Sequence, residues 1–167
     1  MKKILALVLA LVMVLTVVSA MAAPSPQGPG KKTTTTTDTV VEEALQDAAD
    51  TDGTKAIKEQ LKKDADAGDA LADVDVKLSE GYTEVTEMVT VKIPANSNVR
   101  TFKKAFQTPF KANSTVEILI GIPGDPVEWI KTVGVVNAAG EVVFTLTESD
   151  YQKVAGKEVV VVPVTKK

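Results

Sequence analysis

Carboxylates come first among the residues whose spacing suggests chemistry. Asp50, Asp52, Gly53 and Glu59 fall on the third, fifth, sixth and twelfth places of a calcium-binding loop. The first place is Ala48 and the eighth is Lys55, where a carboxylate and an apolar residue belong. Acidic residues beside a helix-breaking glycine account for the match, and no metal site is assigned. Asp64, Asp66, Asp69, Asp73 and Asp75 offer a second set of hard oxygen ligands, but on helix or coil they read as a solvated acidic face. Glycoside hydrolysis needs two carboxylates facing each other across a cleft. Glu117, Asp125, Glu128, Glu141, Glu148, Asp150 and Glu158 have no neighbourhood that singles out such a pair. Ser79, Ser97, Ser114 and Ser149 lie in no G-x-S-x-G or S-x-x-K motif, and Gly121-x-x-Gly124 lacks the lysine of a phosphate loop.

Absent residue types narrow the chemistry further. The 167 residues include no Cys and no His. Thiol nucleophiles, disulfides, Cys/His zinc sites and histidine bases are therefore excluded. Arg100 is the single arginine, which argues against a dedicated nucleic-acid surface. No catalytic residue and no cofactor is assigned.

Aromatic recognition is the chemistry that remains. Trp129 is the one tryptophan, with Tyr82 and Tyr151 as weaker platforms for a sugar ring. The competing role for Trp129 is packing against a neighbouring sheet or helix.

Trp129 opens a run that frames the domain. Around Asn137-Ala138-Ala139-Gly140, two β-branched stretches form a hairpin, the Asn and Gly suiting a type I turn followed by a left-handed residue. With Asn137 and Glu141 closing it, Val136 faces Val142, Gly134 faces Phe144 and Thr132 faces Leu146. That face, with Ile130, is expected in the core, and Phe144 is expected to cover Gly134. The opposite face carries Trp129, Val133, Val135 and Val143. Being apolar too, it is either covered by another element or exposed as a binding site.

The other elements follow from periodicity. Val85, Val89, Val91 and Ile93, and later Val116, Ile118, Ile120 and Ile122, recur at the strand period of two. Residues 99–110 fit strand or helix, with strand preferred. Glu148–Ala155 is one helical turn or a crossing loop. Val159–Val162 reads as a strand buried on both faces, and Pro163 is expected to end it as a central strand. About six strands at this spacing predict a mainly β fold, a C-terminal antiparallel β-sandwich over 83–165 of immunoglobulin-like type. A short acidic helical segment over 38–76 is expected before it, in two pieces: one capped at Thr39-x-x-Glu42, one from near Thr54 to Gly68 with Ile57, Leu61 and Ala65 on one face.

The N-terminus reads as a secretory leader. Lys2 and Lys3 precede an apolar run from Ile4 to Val18, and Ala20-x-Ala22 offers a cleavage site, giving a signal peptide over 1–22. Residues 23–37, rich in Pro, Gly and Thr, are expected to be a disordered linker. No cysteine is present to carry a lipid, and Thr165-Lys166-Lys167 carries no sorting motif. Charge is uneven: Asp38–Glu87 holds 15 acidic and 5 basic residues, whereas Met88–Lys167 holds 7 acidic and 10 basic.

The leader, the Thr/Pro tail and the valine-rich segment with N-A-A-G-E-V-V-F-T-L resemble small secreted proteins of anaerobic Gram-positive bacteria. The C-terminal part also resembles immunoglobulin-like or fibronectin-type modules of bacterial surface proteins, without their Cys pair. The expectation is a secreted, extracellular or cell-wall-associated, non-enzymatic binding or adhesion module acting through the β domain. Its expected partner is a cell-surface protein or a glycan; nucleic acid is not expected, and membrane contact is expected only through the leader before cleavage. The alternative is a structural, self-associating protein of the cell envelope. A carboxylate-based hydrolase ranks last.

Overall fold

The computed structural model describes residues 41–95 and 97–167, all within one compact unit. The signal peptide and the linker lie outside the described residues. In chain order the elements are β1 (Glu42–Ala44), α1 (Asp52–Asp66), β2 (Tyr82–Val85), β3 (Val89–Lys92), β4 (Thr101–Lys104), β5 (Thr115–Ile122), β6 (Glu128–Val136), β7 (Val142–Thr145), α2 (Glu148–Val154) and β8 (Glu158–Lys166). The fold is mainly β, as the periodicity predicts, with eight strands in one sheet. Their order is β1-β4-β7-β6-β5-β8-β2, with β3 also pairing β8.

All strand pairs are antiparallel except β1 with β4, which is parallel. That strand corrects the expected helix capped at Thr39: residues 42–44 are extended. Leu45 N–H donates to Lys103 O on β4 (2.9 Å), and Ala48 N–H donates to Thr90 O on β3 (2.9 Å). Asp47 also bridges Val91. Residues 42–48 thus tie one end of the sheet to the other, and the curled sheet is sandwich-like. Its inner face gathers one core from Val91, Phe102, Ile118, Val136, Phe144 and Val161, with Leu45 added by the tie.

The hairpin register is the predicted one: Gly134 faces Phe144 and Val136 faces Val142. Gly140 has φ +83°, and Asn137 Oδ1 accepts from the N–H groups of Ala139 and Glu141. The side chain nearest to Gly134 is Val142. A Cβ there would lie 2.5 Å from Val142 Cγ1.

β8 is buried on both faces and paired along both edges, so Pro163 does not end it. The Pro163 carbonyl accepts from Thr86 N–H (3.4 Å), so its missing N–H also points toward β2 and β3. There the ladder slips. Val85 pairs Val164 and Val89 pairs Val161, four residues against three. The extra residue is a bulge, which leaves Pro163 where no donor is required.

α1 starts two residues earlier than the sequence predicts. Thr51 Oγ1 accepts from Thr54 N–H (3.3 Å), and Thr54 Oγ1 accepts from Thr51 N–H (2.9 Å), a reciprocal cap with Thr in the usual Glu place. Gly53 lies inside the first turn and breaks nothing. A Cβ on it would come within 2.7 Å of Pro123 Cβ, so glycine allows the helix to rest on the β5–β6 loop. Thr54, Ile57 and Leu61 form its buried stripe. Over 99–110, only 101–104 is strand; Phe106 and Phe110 then pack edge to face at 5.8 Å. α2 is capped by Thr147, and Gly156 at φ +75° follows it.

Candidate functional site

The outer face of the sheet carries a second, smaller core. Leu119 from β5, Trp129 from β6, and Val160, Val162 and Val164 from β8 meet Ile57 and Leu61 of α1. Leu71, Val74, Val76 and Leu78 extend this cover from the segment after the helix. The acidic segment is thus a lid on the sheet, in the same compact unit as the strands.

Trp129 lies under that lid. It is 9% exposed, and its ring packs against Gly121 of the paired strand, where a Cβ would sit 2.9 Å from Cζ3 and 3.3 Å from Ile57 Cγ2. Of the two roles the sequence leaves open for Trp129, its burial fits packing against a neighbouring element and not a flat surface platform. Tyr151 is also buried: its hydroxyl donates to Pro94 O (2.7 Å) and accepts from Ser97 N–H (3.0 Å), and the Arg100 guanidinium lies 3.7 Å from its ring centre. Tyr82 is half-buried on β2, with Lys166 Nζ 5.1 Å from its ring centre.

The face that the sequence assigns to binding is therefore divided. Val133 and Val135 remain open, at 52% and 45% exposed, and Val143 is half-buried beside Val135. Between them and Trp129 stands Lys131, whose Nζ donates to Lys77 O (2.7 Å).

A cavity of about 420 Å³ remains between lid and sheet. Its floor is apolar: Ile57, Leu61, Val74, Val127 and Trp129. Its rim is acidic, with Asp64, Asp73 and Asp75, and among the described residues it includes no lysine or arginine. Gln60 Nε2 donates to both Asp64 Oδ1 and Asp73 Oδ2, each at 2.8 Å. Asp64 Oδ2 is buried without a donor.

The lid is pinned by a buried carboxylate that the sequence does not advertise. Glu117 on β5 is 2% exposed. Its two oxygens accept from Ser79 N–H (3.2 and 3.1 Å), the Ser79 hydroxyl donates as well, and Lys131 Nζ lies 3.6 Å away. A buried charge survives only with such partners. Burial, and then the Glu117 charge, raise the Tyr82 phenol above its ordinary range.

The calcium-loop imitation does not assemble. Residues 52–59 are helical and cannot wrap an ion, and Asp50 instead accepts from Lys58 Nζ (2.7 Å) and from Thr90 Oγ1. Both contacts, Lys58 first, hold its carboxyl below the ordinary range. Among the described residues no group of three or more acidic side chains is placed to hold a metal.

Asp64, Asp73 and Asp75 stand out in the sequence as close carboxylates, yet as a solvated face. What joins them to an apolar floor is the fold-back of residues 67–78, and only the apolar Leu71, Val74 and Val76 among the acidic residues hint at it. No protein-family model, curated protein or solved structure matches the chain.

Proposed function

We propose that this is a secreted or cell-wall-associated, non-enzymatic binding module, in which the β domain is the scaffold and the cavity over Trp129 is the ligand site. The observation that carries the reading is the cavity itself. Its volume falls within the range of small-molecule sites, about 300–1,000 Å³, and it joins an apolar floor to a few converging polar groups. A non-catalytic role is favoured because Gln60 fills the space between Asp64 and Asp73, where a scissile bond would have to lie. The leader-like residues 1–22 support export.

Trp129 is the only tryptophan, so its emission reports on the cavity without a label. Small amphiphilic solutes are expected to change that emission saturably, and Val127→Phe, which fills the floor, is expected to abolish the change. The reading fails if no solute gives a saturable change, or if the filled variant responds as the parent does.

Exposed Val133 and Val135 favour a second reading, self-association. Sedimentation over a wide concentration range tests it, and an unchanging monomer mass would end it.

A further inference from the structure

We infer that the Trp129 cavity takes an organic cation: an ammonium or guanidinium group on a short apolar stem, the chemistry of a lysine or arginine side chain. The inference rests on the cavity being a binding site and adds the class of ligand.

Charge complementarity is the first support. Three carboxylates line the opening and, among the described residues, no basic side chain does, so the rim favours cations over neutral or anionic solutes. The second support is a deficit of donors. Gln60 Nε2 has two hydrogens, and both are used, one on Asp64 and one on Asp73. Asp64 Oδ2 is left buried with no donor, a costly state for a carboxylate oxygen. The carboxylate turns easily about its last bond, and an entering ammonium beside Asp73 supplies the missing donor. The third support is the floor. Ile57, Leu61, Val74 and Val127 accept an alkyl stem, and Trp129 is the aromatic side chain most favourable to a nearby cation. A purely apolar ligand would leave the rim unpaired, and an anion would meet three like charges.

The test uses the purified full chain and three six-carbon probes: n-hexylammonium, 1-hexanol and hexanoate. Binding is followed by Trp129 emission and by the indole N–H resonance. n-Hexylammonium is expected to saturate the signal at a concentration at least about tenfold below that for 1-hexanol, and hexanoate is expected not to bind. Raising the salt concentration should weaken the ammonium and leave the alcohol unchanged. Asp73→Asn with Asp75→Asn alters two exposed side chains, so its folding is expected to match the parent, as a thermal melt will verify. That variant should weaken n-hexylammonium about tenfold and leave 1-hexanol unaffected. Equal binding of 1-hexanol and n-hexylammonium, or an ammonium affinity unchanged in the double variant, overturns the cationic ligand while the cavity reading stands. A Trp129 signal that none of the three probes moves overturns both.

Discussion

The two faces of the curled sheet are built differently. The inner face is filled by aliphatic and aromatic side chains from six strands, β3 to β8, and Phe102, Ile118, Val136, Val142 and Phe144 have almost no exposed surface. The outer face is covered only where α1 and the segment after it lie. That cover is held by two kinds of bond: the contacts of Ile57 and Leu61, and the polar tie of Glu117 to Ser79 and Lys131. It leaves a cavity of about 420 Å³. One side is close-packed and the other is a loosely filled layer; a packed interior has no room to admit a ligand, so only the outer layer leaves open space.

Substitutions on the two faces should therefore differ in kind as well as size. The largest effect belongs to the inner core: Phe144→Ala should cost about 3–5 kcal/mol in urea unfolding and lower the stability of the whole unit. A loss below about 1 kcal/mol would mean that the inner face is not the main core. Next is the outer tie. Glu117→Ala leaves the Ser79 donors and Lys131 without their partner and should cost about 1–3 kcal/mol. Amide exchange should quicken mainly over residues 76–82, with β5 and β8 protected; uniform quickening would erase the distinction between the faces.

Gly121→Ala tests the seat of Trp129. The added methyl meets the ring and Ile57, and overpacking of this kind costs about 1–3 kcal/mol. Trp129 emission should shift to the red as the ring lifts, and an unshifted spectrum would show that the ring has space to spare.

Two smaller effects depend on pH. Asp50 has a lowered carboxyl, so its contribution is present above the unfolded value of about 3.9 and lost as pH falls through the folded value. With a partly exposed pair, the difference between the parent and Asp50→Asn should be at most about 0.5 kcal/mol at neutral pH and vanish in acid. Tyr82 has a raised phenol, so its contribution is complete below the unfolded value of about 10 and lost as pH rises through the folded one. Tyr82→Phe should lose less stability than the parent in that alkaline window; identical alkaline curves would show that neither burial nor the Glu117 charge raises the Tyr82 phenol.

Much of the inner face is legible in the chain. The alternation of Val116, Ile118, Ile120 and Ile122, and the Asn137–Gly140 turn, dictate strands and register through local rules, because a strand's side chains alternate and a turn needs a left-handed residue at its end. The misreadings have a common cause. Residues 42–44 follow a helix-cap pattern at Thr39-x-x-Glu42 but form a strand, because β4 and β3 take up the hydrogen bonds of this segment. Gly53 resembles a breaker but allows close approach to Pro123. Pro163 resembles a stop but faces a bulge on a neighbouring strand. In each case the deciding partner is remote in sequence.

The sequence by itself determined a mainly β core, the hairpin and its inward face, and the absence of any thiol or imidazole chemistry, since these depend on residue type and short-range period. The tertiary structure decided the fate of the outer face. It buried Trp129, left Val133 and Val135 open, and turned a set of acidic residues into the rim of a cavity. No local rule could do so, because the lid reaches the sheet through Glu117 and Ser79, 38 residues apart, and the cavity exists only once they meet.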